Sequence, residues 1–151
     1  RGLTAGAMIE VPAAALMADT IMPHLDFVSI GTNDLTQYTM AADRLSPQLA
    51  YLTDPWQPAV LRLIQHTCVV GRDNNVPVGV CGEAAADPML ACVLTGLGVT
   101  SLSAASTAVA GVGAQLAELT FEQCEKMAEA AVNAESPSEA RSAVIALLEE
   151  F

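Results

Sequence analysis

An α/β fold built from repeated βα units is predicted by three features of this 151-residue chain. Short runs of β-branched and apolar residues alternate with longer runs rich in Ala and Leu. Polar residues follow each short run at once. Hydrophobic residues make up 52% of the chain and charged residues 15%, which suits the core of one ordinary domain and excludes a disordered tail.

Four runs read as strands: Ala7-Met8-Ile9-Glu10-Val11, Phe27-Val28-Ser29-Ile30-Gly31, Val76-Pro77-Val78-Gly79-Val80 and Val99-Thr100-Ser101-Leu102-Ser103. Pro12 opens a helix over 12–22, since a first-turn residue has no intrahelical use for its N–H. A second helix over 59–71 places Val60, Leu61, Leu63, Ile64, Thr67 and Cys68 on one face. A third over 88–97 takes Asp87 as N-cap and Gly96 or Gly98 as its stop.

The character changes after Gly113. Thr120-Phe121-Glu122-Gln123 reads as a capping box opening a helix to about residue 133. Ser136-Pro137-Ser138-Glu139 reads as a second box, with Pro at the first helical position, opening a helix to about residue 149. No strand separates these two helices. The expected organisation is therefore one domain over 1–151, with four βα units in 1–113 and a terminal helical hairpin in 114–151. Four βα units make half of an eight-unit barrel or a small open parallel sheet, and composition does not choose between them.

The net charge of −11 argues against a nucleic-acid surface, because phosphate backbones are held by Lys and Arg. No apolar run reaches the roughly 18–20 residues that cross a bilayer, and no basic-then-apolar leader is present. A cytoplasmic location is expected. There the four cysteines, Cys68, Cys81, Cys92 and Cys124, stay as free thiols. None forms a C-x-x-C pair or a zinc-finger spacing. His24 and His66 lack the Gly- and Ser/Thr-rich setting of a phosphorylated histidine, and neither is read as catalytic.

The polar residues after the strands carry the chemistry. In parallel βα folds the C-terminal strand ends share one face, and that face binds ligands. Glu10 follows the first strand and Asp34 the second; two such carboxylates repel unless a cation lies between them, and hard oxygen ligands suit Mg²⁺. Helix-start roles for both are the alternative. Gly31-Thr32-Asn33-Asp34 is a small turn able to aim N–H groups at a phosphate. Arg44 suits bidentate contact with phosphate or carboxylate, or else pairs at the surface with Asp43. Cys81, with Gly82-Glu83 behind it, is a proton donor or acceptor, or else a structural thiol.

Gly6-Ala7-Met8-Ile9-Glu10-Val11-Pro12-Ala13-Ala14, the block Ser29-Ile30-Gly31-Thr32-Asn33-Asp34-Leu35-Thr36-Gln37-Tyr38, Pro58-Ala59-Val60-Leu61-Arg62-Leu63-Ile64 and Val80-Cys81-Gly82-Glu83 stand in an order and spacing that resembles enzyme I, the phosphoenolpyruvate–protein phosphotransferase of the bacterial sugar phosphotransferase system. The likeness runs from about Gly6 to Ser106. Pyruvate phosphate dikinase and phosphoenolpyruvate synthase share a related block, and the continuation Tyr38-Thr39-Met40-Ala41-Ala42-Asp43-Arg44 favours enzyme I over them.

The resemblance implies the C-terminal half of a (β/α)8 TIM barrel that binds phosphoenolpyruvate (PEP). It implies Glu10 and Asp34 as Mg²⁺ ligands, Asn33, Asp34 and Arg44 at the substrate, and Cys81 as the residue that protonates the enolate to pyruvate. It further implies phosphoryl transfer to a histidine, a small phosphocarrier protein as partner, and a homodimer. No segment here resembles the acceptor-histidine domain, and the first barrel half is not in the sequence. Ala84-Ala85-Ala86-Asp87 and Thr107-Ala108-Val109 depart from the family pattern. Arg1-Gly2, without an initiator Met, adds the expectation of a piece excised from a longer enzyme, without turnover alone. A non-catalytic PEP-binding module and a dimerisation fragment are the competing readings.

Overall fold

The computed structural model describes residues 2–151, so Arg1, and the expectation attached to it, lies outside the described residues. Four strands, β1 (Gly6–Ile9), β2 (Phe27–Gly31), β3 (Val78–Cys81) and β4 (Ser101–Ser103), form one sheet in chain order. Every pairing is parallel. Parallel neighbours need a crossover, and helices supply it. These are α1 (Pro12–Leu16), α2 (Ala18–Ile21), α3 (Thr32–Met40), α4 (Pro58–Asn74) and α5 (Pro88–Gly96), and α6 (Ser106–Ala117) follows the last strand. Then α7 (Phe121–Asn133) and α8 (Pro137–Glu150) follow with no strand between them and pack on each other.

Register divides the sheet into two faces. Ile9, Ile30, Val80 and Leu102 form one cross-strand row, with Val28 and Val78 one step below. Apart from the partly buried Leu102 these are buried, in the core shared with Leu61, Ile64, Leu90 and Leu94 of the helices. On the other face Met8, Ser29, Gly79 and Ser101 align. That face is open: Met8 is 46% exposed and Phe27 41%.

Helix boundaries follow their chemistry. Asp87 Oδ1 accepts from the N–H groups of Met89 and Leu90, capping α5. Thr120 and Gln123 form a reciprocal box at α7. At α8 the box is only half present: Ser136 accepts from Glu139 N–H, but Glu139 Oε2 takes the N–H of Glu135 instead. The helix expected over 12–22 is broken at Met17, which leaves helical geometry, and the two pieces bury Ala15 and Ala18 against the core. The sequence pattern also missed α6, which has no side-chain cap, contains Gly111 and Gly113, and buries only Val112. It runs through position 113, where the composition changes.

Among the described residues two non-glycine residues have left-handed backbones, and both end helices. Asn75 tolerates this well; Ala41, at φ 51°, carries the Cβ penalty. Ala41→Gly is expected to stabilise the chain by about 0.5–1 kcal/mol, raising the midpoint of a thermal melt by about 2 °C.

Candidate functional site

The C-terminal end of the open sheet face assembles the predicted residues. Gly31 pairs with Cys81, and Cys81 with Ser103. Glu10, one step beyond the Ile9–Ile30 pair, continues this row on the other side. A Cβ on Gly31 would stand 3.0 Å from Glu10 Oε2, so the absent side chain leaves the space in which the Glu10 carboxylate lies. Glu10, Gly31, Cys81 and Ser103 thus line up across four strand ends. The Cys81 thiol points back to the Ile30 carbonyl at 3.5 Å.

Beside this row α3 begins. Gly31 is its N-cap and offers no side-chain acceptor, so the N–H groups of the first turn are not capped by a side chain. Asn33 and Asp34 are the second and third helical residues. The capping alternative for Asp34 therefore fails: it lies inside the helix. Thr32 Oγ1 donates to the Cys81 carbonyl at 2.9 Å, and Asn33 Oδ1 accepts from Glu83 N–H at 3.2 Å. These bonds tie the end of β2 to the end of β3. They need Gly82, whose φ of +98° and ψ of −167° suit glycine alone. Because the Asn33 oxygen is occupied, its amide N–H₂ remains as a donor.

Arg44 comes from the loop after α3. Its backbone N–H donates to Gln37 Oε1, and its guanidinium lies 3.7 Å from Asp34 Oδ2. The alternative pairing with Asp43 is not formed, because Asp43 Oδ1 accepts the N–H of Leu45 in a local turn. Asn33, Arg44, Leu45, Thr53 and Glu83 line a cavity of about 330 Å³. Glu10 and Cys81 do not line it; they sit on the adjoining sheet face. Leu45 and Thr53 were missed as lining residues, and no local pattern marks them; Glu83 stood at the third strand end in the sequence but was given no role. A larger cavity of about 630 Å³ lies at the opposite strand ends, around Val76, Pro77, Val78, Val99 and Thr100, away from this chemistry.

The remaining candidates are structural or solvent-facing. Cys68, Cys92 and Cys124 are buried, and burial pushes the Cys68 and Cys92 thiols up to about 12 and raises that of Cys124. His24 and His66 are exposed. Among the described residues no group of three or more His, Cys, Asp or Glu gathers as a metal site. No helix there is long and apolar enough to cross a membrane.

Known proteins are similar to this chain in sequence. The chain is 52% identical over 143 residues to a phosphoenolpyruvate-protein phosphotransferase of Streptomyces coelicolor, covering 95% of this chain and 26% of that protein. A protein of the same name from Bacillus sp. (strain S) is 45% identical over 128 residues, which is 85% of this chain and 22% of that one. A multiphosphoryl transfer protein of Xanthomonas campestris is 46% identical over 140 residues, 93% of this chain and 17% of its own length. The chain thus spans about a quarter or less of these relatives. Residues 1–121 match the family model described as PEP-utilising enzyme, PEP-binding domain. By that match the chain belongs to the PEP-utilising enzymes, as their PEP-binding domain.

Proposed function

We propose that this chain is the PEP-binding part of an enzyme I, which takes the phosphoryl group of PEP to a histidine and then to a small phosphocarrier protein. The observation that carries this reading is the row Glu10–Gly31–Cys81 beside the uncapped first turn of α3. In this reading Asn33 and Arg44 hold the phosphate. The N–H₂ of Asn33, the guanidinium and the first-turn N–H groups supply donors that a chain of net charge −11 otherwise lacks.

Glu10, just past the end of β1, and Asp34, in the first turn of α3, are oxygen donors of the kind Mg²⁺ takes, and these two residues would hold it. When bound, the ion would offset negative charge on phosphate and enolate oxygens. Cys81 acts on carbon. Once the bond from phosphorus to the bridging oxygen has broken, the phosphoryl group passing to the histidine and the oxygen staying on the enolate, the thiol gives its proton to the enolate methylene carbon, yielding pyruvate and a thiolate. Before that step the thiol donates to the Ile30 carbonyl, which holds the sulfur on the open face; the bond is given up as the proton leaves.

The test is calorimetric titration of the chain with PEP, with and without Mg²⁺. Mg²⁺-dependent heat is expected; no heat in either condition would overturn the reading. Pyruvate formation by this chain with carrier protein but without a histidine domain is expected to be absent.

The parallel strands in chain order suit half of a (β/α)8 barrel, with the open face as its interior. We read the enzyme as a cytoplasmic homodimer. Two bare sheet edges and the exposed Met8 and Phe27 make the isolated chain self-associate. Sedimentation at micromolar concentration is expected to show dimer or larger; a clean monomer would remove the idea.

A further inference from the structure

The loop 41–57 presents Arg44, Leu45 and Thr53 to the cavity, yet its stretch from 43 to 51 is largely exposed, with Leu45 at 83% and Tyr51 at 70%. Its internal hydrogen bonds are local turns: Ser46 N–H to the Asp43 carbonyl, Leu52 N–H to Leu49, and the Thr53 hydroxyl to Ala50. Turns of this kind shape a loop without fixing it to the body of the protein. Two anchors do that. At the start, Arg44 N–H is bonded to Gln37 on α3. At the end, Trp56 is fully buried, and its indole N–H donates to Asp87 Oδ2 at 3.0 Å.

Arg141, on α8, closes over this second anchor. Its guanidinium lies 5.3 Å from the centroid of the Trp56 ring, and its Nη2 is 3.4 and 3.5 Å from the two Asp54 oxygens. Asp54 Oδ1 also accepts the N–H of Trp56, which makes the turn rigid. Asp54 directly follows Thr53, a cavity residue. Arg and not Lys suits the place, because a flat guanidinium stacks on a ring and meets a carboxylate edge at once. Of only six basic residues, two are committed to the two ends of this one loop.

We propose that Arg141 is a positioning residue for the substrate site: from α8 it holds the Asp54–Trp56 turn, so that Thr53 and Arg44 face Asn33 across the cavity. This rests on the reading of that cavity as the PEP site. By linkage, a ligand that fixes Arg44 also tightens the contact of α8 with the loop.

Arg141→Ala, Arg141→Lys and Asp54→Asn in the 151-residue chain test it. Trp56 is the chain's sole tryptophan, so acrylamide quenching of its emission reads the anchor directly. In Arg141→Ala we expect easier quenching, amide exchange over 43–56 faster by roughly tenfold, and unchanged exchange in β2 and β3. We expect PEP with Mg²⁺ to bind about tenfold more weakly, and Arg141→Lys to recover part of that loss by keeping the charge beside Asp54. Asp54→Asn keeps the turn bond to Trp56 and removes the charge; it is expected to loosen the same segment, and it decides the matter should Arg141→Ala fail to fold. Loop exchange equal to the parent in the folded variants would overturn the proposal, as would a loosened loop with unchanged PEP affinity. A parent chain that binds no PEP would instead remove the substrate reading, and loop exchange would still decide whether Arg141 sets the loop.

Discussion

Replacing Gly96 by alanine is expected to destabilise the chain by about 3 kcal/mol or more, lowering the thermal midpoint by roughly 10 °C. Gly96 ends α5 at the point where it crosses α7. A Cβ there would run into the backbone carbonyl of Cys124 and stand 2.8 Å from the Glu125 nitrogen. A clash with a flexible side-chain tip is relieved by a rotamer change. Here the obstacle is main chain within a hydrogen-bonded helix, so α7 has to move as a body. It is held in place by its Thr120–Gln123 box, by packing on α8, and by Arg62 Nε, which donates to the Val132 carbonyl at 2.8 Å near its C-terminus. Circular dichroism melts of Gly96→Ala against the parent check this. A midpoint within two degrees would mean the helices are not in contact there.

Asp34→Asn is the substitution expected to change binding most. The two residues are nearly isosteric, so the variant alters charge at constant shape. Two effects follow with opposite signs. Loss of an anionic oxygen removes one of the two carboxylates proposed to hold Mg²⁺, and PEP binding in its presence should weaken by roughly 100-fold, since even residues that only support metal ligands are worth about 10–100-fold. Without Mg²⁺ the change runs the other way. Asp34 lies 3.7 Å from the Arg44 guanidinium and competes with substrate phosphate for it, so residual binding should hold or rise. Calorimetry in both conditions separates the two. An unchanged isotherm with Mg²⁺ would remove Asp34 as a ligand.

What the sequence showed and hid follows from the range of each interaction. Proline at the first turn of α1 and α8, Asp87 before α5 and Thr120 before α7 act over two or three residues, and they placed helix starts correctly. Val28, Ile30, Val78 and Val80 marked their strands because a helix-covered parallel sheet asks for such residues. The break at Met17 left no such mark, and α6 combines glycine with a weak apolar face. Within the site, strand order alone suggested that Glu10, Asn33, Asp34 and Cys81 converge. The partner of Arg44 was open, because Asp43 is adjacent in sequence and Asp34 is ten residues away. The bond of Asn33 to Glu83 spans 50 residues and that of Arg141 to Asp54 spans 87, beyond any pattern read along the chain.

The burial of three of the four thiols gives the folded chain a single reactive handle. Burial pushes the Cys68 and Cys92 thiols up to about 12 and raises that of Cys124, so little thiolate forms at neutral pH, and all three are buried away from reagent. Cys81 alone is partly open, on the sheet face beside Glu10. At pH 7.5 a chromogenic disulfide reagent should count one fast thiol in the native protein and all four after guanidinium unfolding. A fluorophore placed by that single alkylation would sit at the proposed proton donor itself, making the wild-type sequence its own site-specific probe.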